Sequence, residues 1–218
     1  MTEPNHPRGG KFLELVAVMD TLRSPGGCPW DAQQTHRSLA EYLIEECYET
    51  VEAIETDDDA GMLEELGDLL LQIVFHARIA QDNPDRPWDI DDVAEGIIDK
   101  LVRRHPHVFA DTKADDAEAV VRNWTRLKAE EKGRTSALDG IPSGLPALSW
   151  AQKTLRRARE SGLRMEQTSA SADAPSFEGL GERLLGIVAA AEAHGLDAEA
   201  ALRHSVRGLY QDVRDAEQ

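Results

Sequence analysis

An all-α fold built around one helical hairpin is what this sequence predicts, and three observations carry the prediction. Aromatic residues make up only 5% of the 218 positions while Ala, Leu, Glu and Asp abound, which favours helices over sheets. Apolar residues recur at three- and four-residue intervals in successive segments, the helical period. Two such segments, IEECYETVEAIE (44–55) and LEELGDLLLQIVFHA (63–77), are joined by the polar ETDDDAGM, so they fold back as an antiparallel pair. The length allows one large or two small domains with a real core.

Residues 1–10, rich in Pro and Gly, read as a disordered tail. A first helix is expected over about 11–23 (KFLELVAVMDTLR), stopped by the breaker SPGG. The turn GGCPWDAQQTHRS leads into the first hairpin helix, about 37–55, and the second runs over about 61–82 to DNPDRP. Asp89 or Asp91 caps a fourth helix, about 90–104, and Pro106 in HPHVF disfavours its continuation. A fifth, about 115–132, carries the period Val120, Val121, Trp124, Leu127 and Lys128. SALDGIPSGLPALS (136–149) then reads as a linker between a unit at 11–135 and a second at 150–218.

The second unit contains a repeat. FEGLGERLLGIV (177–188) aligns without gaps on LEELGDLLLQIV (63–74). Gly179 stands where the first copy has Glu65, and Glu182 where it has Asp68. The segment 161–176 is the loop-like SGLRMEQTSASADAPS, with no counterpart of the first hairpin helix. The second unit therefore reads as a shortened, degenerate copy.

The chemistry lies in four carboxylates, Glu46/Glu49 and Glu65/Asp68. Each pair has i,i+3 spacing, so both members project from one helix face, and the hairpin brings the pairs together. On the first helix Leu43, Cys47, Val51 and Ile54 read as the core stripe, with Glu46 and Glu49 on its flank beside Tyr42 and Ala53; Glu45 and Glu52 point further away. The second helix is apolar nearly all round, which predicts burial. Clustered like charges in such a place repel, and a hard divalent cation removes the penalty. An all-oxygen carboxylate set suits Mg²⁺ or Mn²⁺. The plain alternative is a solvated acidic face.

Charge is unevenly placed. Residues 41–99 hold nineteen acids against two Arg, whereas 98–134 hold nine Lys or Arg against seven acids. A net charge of −17 argues against nucleic acid polymers as partners, and an acidic cluster followed by a basic one suits a metal–polyphosphate ligand. Cys28 and Cys47 form no disulfide framework or CxxC, which points to a reducing cytoplasm, and Cys47 reads as a small core residue. Neither a signal peptide nor a membrane-spanning run is expected.

The pattern E-x-x-E, fifteen residues, E-x-x-D, with GGCPWDAQQTHRSL (26–39), EECYE (45–49), ELGDLL (65–70), KLVRRHPHVF (100–109) and NWTRLK (123–128), resembles the MazG family of all-α nucleoside triphosphate pyrophosphohydrolases over roughly residues 11–153. The resemblance implies Mg²⁺-dependent hydrolysis of nucleoside triphosphates to monophosphate and pyrophosphate, by a dimer of helical bundles. By motif position it makes Glu46, Glu49, Glu65 and Asp68 the metal ligands. Lys100 and Arg104, with Arg103 beside them, become triphosphate contacts, and Trp124 and Lys128 a further nucleotide-contacting pair.

Elementary chemistry agrees with these roles. Attack on the α-phosphorus needs a metal-activated water and neutralised phosphates, and Lys100 and Arg104 at i,i+4 share a helix face. Glu45 or one of the ligands, Glu46 or Glu49, is the candidate base; the sequence leaves the choice open. Trp30 is either a hydrophobic staple or a base contact, Gln34 a base reader or a solvated turn residue, and His76 a group supporting the metal ligands near Glu65. A di-iron carboxylate bundle is set aside because the only Glu-x-x-His is Glu3/His6 in the tail. The remaining rival is a non-catalytic helical module that binds a partner or a structural cation.

Overall fold

A computed structural model of the chain describes residues 9–110, 138–162 and 176–216, with isolated positions between 111 and 137. All regular structure among them is helical. Residues 1–8 of the tail expected at 1–10, most of the helix expected at about 115–132 (Lys128 included) and residues 163–175 of the loop expected at 161–176 lie outside the described residues. The chain divides into two compact units between Trp124 and Thr125.

In the first unit α1 (Gly10–Arg23) ends as Ser24 N–H donates to Asp20 O. The chain reverses tightly there. Cys28 N–H reaches Leu22 O at 2.8 Å, and a Cβ on Gly27 would sit 2.3 Å from Thr21 O, so only glycine fits. Pro29 then starts the short α2 (Pro29–Gln33) at the position where its missing N–H costs nothing. Arg23 fixes this corner. Its almost fully enclosed side chain donates to Asp31 O and Gln34 O, meets Asp82 at 3.3 Å and lies over the Phe75 ring.

The hairpin follows as α3 (Ala40–Glu55) and α4 (Asp59–Gln81). Thr35 and Ser38 exchange backbone–side-chain bonds in the turn, which delays α3 to Ala40 rather than 37. Asp58 accepts from Gly61 N–H and caps α4, which starts two residues earlier than expected. Helix α5 (Ile90–Arg104) opens on a capping box in which Asp89 and Asp92 serve each other's backbone N–H groups. The chain then continues past His105 into a single helical turn, α6 (Pro106–Phe109), where the sequence suggests only a stop. Met19, Leu39, Val74 and Phe75 form the core, flanked by Phe12, Leu15, Val16, Tyr42 and Leu71.

Two expectations are corrected here. Cys47 and Ile54 are exposed, and the residues α3 buries are Thr50 and Ala53. The face turned to α4 is the Tyr42–Glu46–Thr50–Ala53 row, about 100° round the helix from the larger apolar stripe, because small side chains let the two helices approach. Nor is α4 enclosed all round. Its C-terminal half supplies Gln72, Val74, Phe75, Ala77 and Ala80 to the interior, while Leu63 and Leu66 are 77% and 50% exposed.

The second unit contains α7 (Ala147–Glu160), α8 (Phe177–Ala193) and α9 (Ala198–Ala216). Gln152 on α7 bridges the α8–α9 turn, donating to Leu196 O and accepting from Ala198 N–H. Buried Glu192 on α8 pairs with Arg156 and Arg159. Among the described residues no helix is long and apolar enough to cross a membrane.

Candidate active site

The antiparallel register of α3 and α4 places the acids. Asp58 closes the turn, and a Cβ on Gly61 would touch the Cβ of Ala53 at 3.6 Å. Counting back from that pairing sets Glu49 opposite Glu65 and Glu46 opposite Asp68. Carboxylate oxygens of Glu46, Glu49 and Glu65 lie within 4.8 Å of one another, a spacing that one hard cation can bridge. Asp68 stands close enough to raise the carboxyl pKa of both Glu46 and Glu65. Glu45, one residue and about 100° round α3, is exposed and outside the three-residue group.

The electrostatics fit a cation-binding set. Partial desolvation is the first cause that lifts the Glu46 carboxyl above its ordinary value, followed by repulsion from Asp68, Glu49 and Glu65. Glu65 is raised likewise, by desolvation and then by Glu49, Asp68 and Glu64. Raised acids bind protons in the folded state that the unfolded chain has released. Their contribution therefore destabilises the metal-free protein as pH climbs above 4.5 through the folded pKa, and remains unfavourable at neutral pH. His76, whose pKa is lowered by burial and by His36, works in the opposite sense below 6.5, so the parent's own curve mixes the two. The difference between parent and Glu46→Gln isolates the acids. The variant should melt higher than the parent in chelator at pH 7.5, with an advantage that shrinks towards pH 4.5; equal melting points at pH 7.5 would reject the repulsion.

The basic helix is arranged differently from the expectation. Lys100 and Arg103 are exposed near the end of α5, but Arg104 is buried, 4% exposed. Its guanidinium lies 5.1 Å from the Trp124 ring centroid, and His105 meets the same indole edge-on at 5.0 Å. His105 is itself held by its Nδ1 on Leu101 O. Arg104 and Trp124 are thus brought together, as one packed cluster rather than as two open contacts.

His76 is also not where the sequence suggests. It shares the Glu65 face but sits eleven residues along α4, about 16 Å away, and its Nδ1 meets His36 Nδ1 at 2.8 Å. The two imidazoles stack at 5.1 Å, and Trp88 stacks on His36 at 6.1 Å. Nothing in the sequence announces this pair, because its members lie forty residues apart on a turn and a helix.

Comparison with known proteins places these residues. A family model described as the MazG nucleotide pyrophosphohydrolase domain matches residues 34–109, which hold all four carboxylates and the basic end of α5. The chain is 38% identical over 224 residues to the nucleoside triphosphate pyrophosphohydrolase/pyrophosphatase MazG of Thermotoga maritima, covering 95% of this chain and 86% of that one. It is 48% identical over 210 residues to an uncharacterized 26.1 kDa protein of Streptomyces cacaoi, covering 96% and 84%. With the nucleoside triphosphate pyrophosphohydrolase of Escherichia coli K12 it shares 46% over 152 residues, spanning 57% of that protein's length.

Proposed function

The chain belongs to the MazG family of nucleotide pyrophosphohydrolases and is a hydrolase of that class, and from this premise we propose how its residues work. The proposed reaction converts a nucleoside triphosphate to monophosphate and pyrophosphate, with Mg²⁺ as the resident ion and Mn²⁺ as a substitute. The observation that carries the reading is the convergence of three carboxylates within 4.8 Å with Asp68 beside them. That set is hard and anionic, which suits Mg²⁺. When bound, the ion would supply charge neutralisation over the phosphates and acidify a water.

The chain's own residues do the rest. Glu46, Glu49, Glu65 and Asp68 hold the ion. One of Glu45, Glu46 and Glu49 accepts the proton of the attacking water. Lys100 and Arg104, with Arg103 beside them, contact the triphosphate, Arg104 from its packed position against Trp124, and Trp124 and Lys128 are by motif position the further nucleotide-contacting pair. Catalysis belongs to 11–135, and the unit at 150–218 carries no site. We further propose a homodimer, because Leu63, Leu66 and Ile73 form an exposed apolar row on α4, and a cytoplasmic location, because Cys28 and Cys47 are both free thiols.

The direct test is product analysis. Activity should require Mg²⁺ or Mn²⁺ and release monophosphate plus pyrophosphate; a nucleoside diphosphate as first product would place attack at another phosphorus. Lys100→Ala should lower catalytic efficiency by roughly ten- to a hundredfold, the scale of one charge-assisted phosphate contact. Unchanged triphosphate affinity in that variant would make Lys100 a mere helix-end charge.

A further inference from the structure

Helix α5 stops at His105, where the chain turns into α6, and a run of ring contacts is built on that corner. His107 meets His105 at 5.5 Å and 61°, and His105 meets Trp124 at 5.0 Å and 61°. The Arg104 guanidinium ends the run over the indole. His105 is the member held most firmly. Pro106 keeps it out of the helical region, and its backbone sits at φ −120°, ψ 56°. Its carbonyl accepts from Val108 N–H at 2.9 Å and from Phe109 N–H at 3.1 Å, which winds α6. Its ring Nδ1 lies 2.7 Å from Leu101 O, and because a carbonyl only accepts, Nδ1 carries the hydrogen. Leu101 O already receives the His105 backbone N–H at 3.1 Å, so α5 is capped without the ring. The second bond serves something else: it fixes the imidazole plane against the indole.

We propose that His105 is a positioning residue for the triphosphate contact: it holds the Trp124 indole, and through the indole the Arg104 guanidinium, in one orientation before the ligand arrives. The proposal rests on the nucleotide reading above. A guanidinium presents its donors only within its own plane, and for Arg104, 4% exposed, the indole beside it sets that plane. An arginine ordered beforehand has less freedom to lose when a phosphate binds. Removing one aromatic contact of this kind is worth roughly three- to tenfold in affinity. The effect should fall on phosphate binding and not on the metal, since no member of the run is a carboxylate.

A double-mutant cycle on the full chain tests this. Calorimetry with Mg²⁺ measures inorganic tripolyphosphate and an α,β-methylene nucleoside triphosphate on the parent, His105→Asn, Arg104→Lys and the double variant. Asparagine keeps an N–H near the Nδ1 position and discards the ring; lysine keeps the charge and discards the planar guanidinium. His105→Asn should weaken both ligands by roughly three- to tenfold and leave the binding of Mg²⁺ alone unchanged. In the Arg104→Lys background the same change should cost less than about twofold, because no plane is left to hold. A residue that merely stabilised the fold would cost as much in both backgrounds. That result overturns the proposal, and so does a His105→Asn protein that binds like the parent. Fluorotryptophan-labelled parent keeps the proposal falsifiable where a variant unfolds. Of its four indole signals, the one lost in Trp124→Phe should shift when tripolyphosphate is added with Mg²⁺, and an unmoved signal overturns the proposal too. The cycle reads binding alone. A parent that holds the analogue yet releases no pyrophosphate from a triphosphate would therefore sink the hydrolysis reading, while the coupling of His105 to Arg104 still decides this one; a parent that binds neither ligand overturns both.

Discussion

Glu46→Gln is expected to lower kcat/KM for nucleoside triphosphates by at least about a hundredfold while the helical fold persists. A divalent ion contributes several kcal/mol of charge stabilisation to phosphoryl chemistry, and each 1.36 kcal/mol is tenfold in rate. Glu46 is the sharpest choice because its carboxyl is pressed by all three of its neighbours, Asp68, Glu49 and Glu65. The amide keeps its shape and removes one charge, so a loss of activity cannot be assigned to a cavity. Asp68→Asn tests the same site from α4. The second unit should not rescue the full-length chain, because at the two positions of the repeat Gly179 offers no ligand and Glu182 joins no group of three potential metal ligands among the described residues. Near-parent hydrolysis by Glu46→Gln would sink the metal assignment; circular dichroism and Mg²⁺ titration distinguish that outcome from misfolding.

Much of the site was legible because its signal is local. Two pairs at i,i+3 on adjacent amphipathic segments need only a turn to meet, and Asp58 and Gly61 supply it. The start of α5 was legible for the same reason, since Asp89 caps within three residues of itself. What the sequence hid is which apolar row faces inward. The stripe Leu43, Cys47, Val51 and Ile54 is the more hydrophobic row of α3, yet the row holding Thr50 and Ala53 is the one buried, because close helix approach rewards small side chains. Periodicity reports that a face is apolar, not what covers it. The burial of Arg104 was hidden too. A basic last turn reads as a dipole partner or a phosphate contact, and only the fold brings the Trp124 ring over that guanidinium.

The uncovered rows lead to the second large effect, on assembly. Leu63→Asp combined with Leu66→Asp should convert a dimer of this chain towards monomer. Each leucine is worth about 1.5–3 kcal/mol when buried, and two-fold symmetry counts each twice, so the dissociation constant should rise by several decades. The repeat strengthens the argument. Leu63, Leu66, Leu70 and Ile73 on α4 align with Phe177, Leu180, Leu184 and Ile187 on α8, and those four are 89%, 51%, 42% and 64% exposed. The second copy has Gly179 in place of Glu65 but keeps the apolar row, which is the expected result if the row serves packing independently of the chemistry. Light scattering after size exclusion, from nanomolar to micromolar chain, measures the shift. A residual dimer should then fall apart when Leu184→Asp is added. A parent that is monomeric at micromolar concentration, or a triple variant as dimeric as the parent, would show that these rows are covered by something other than a second copy.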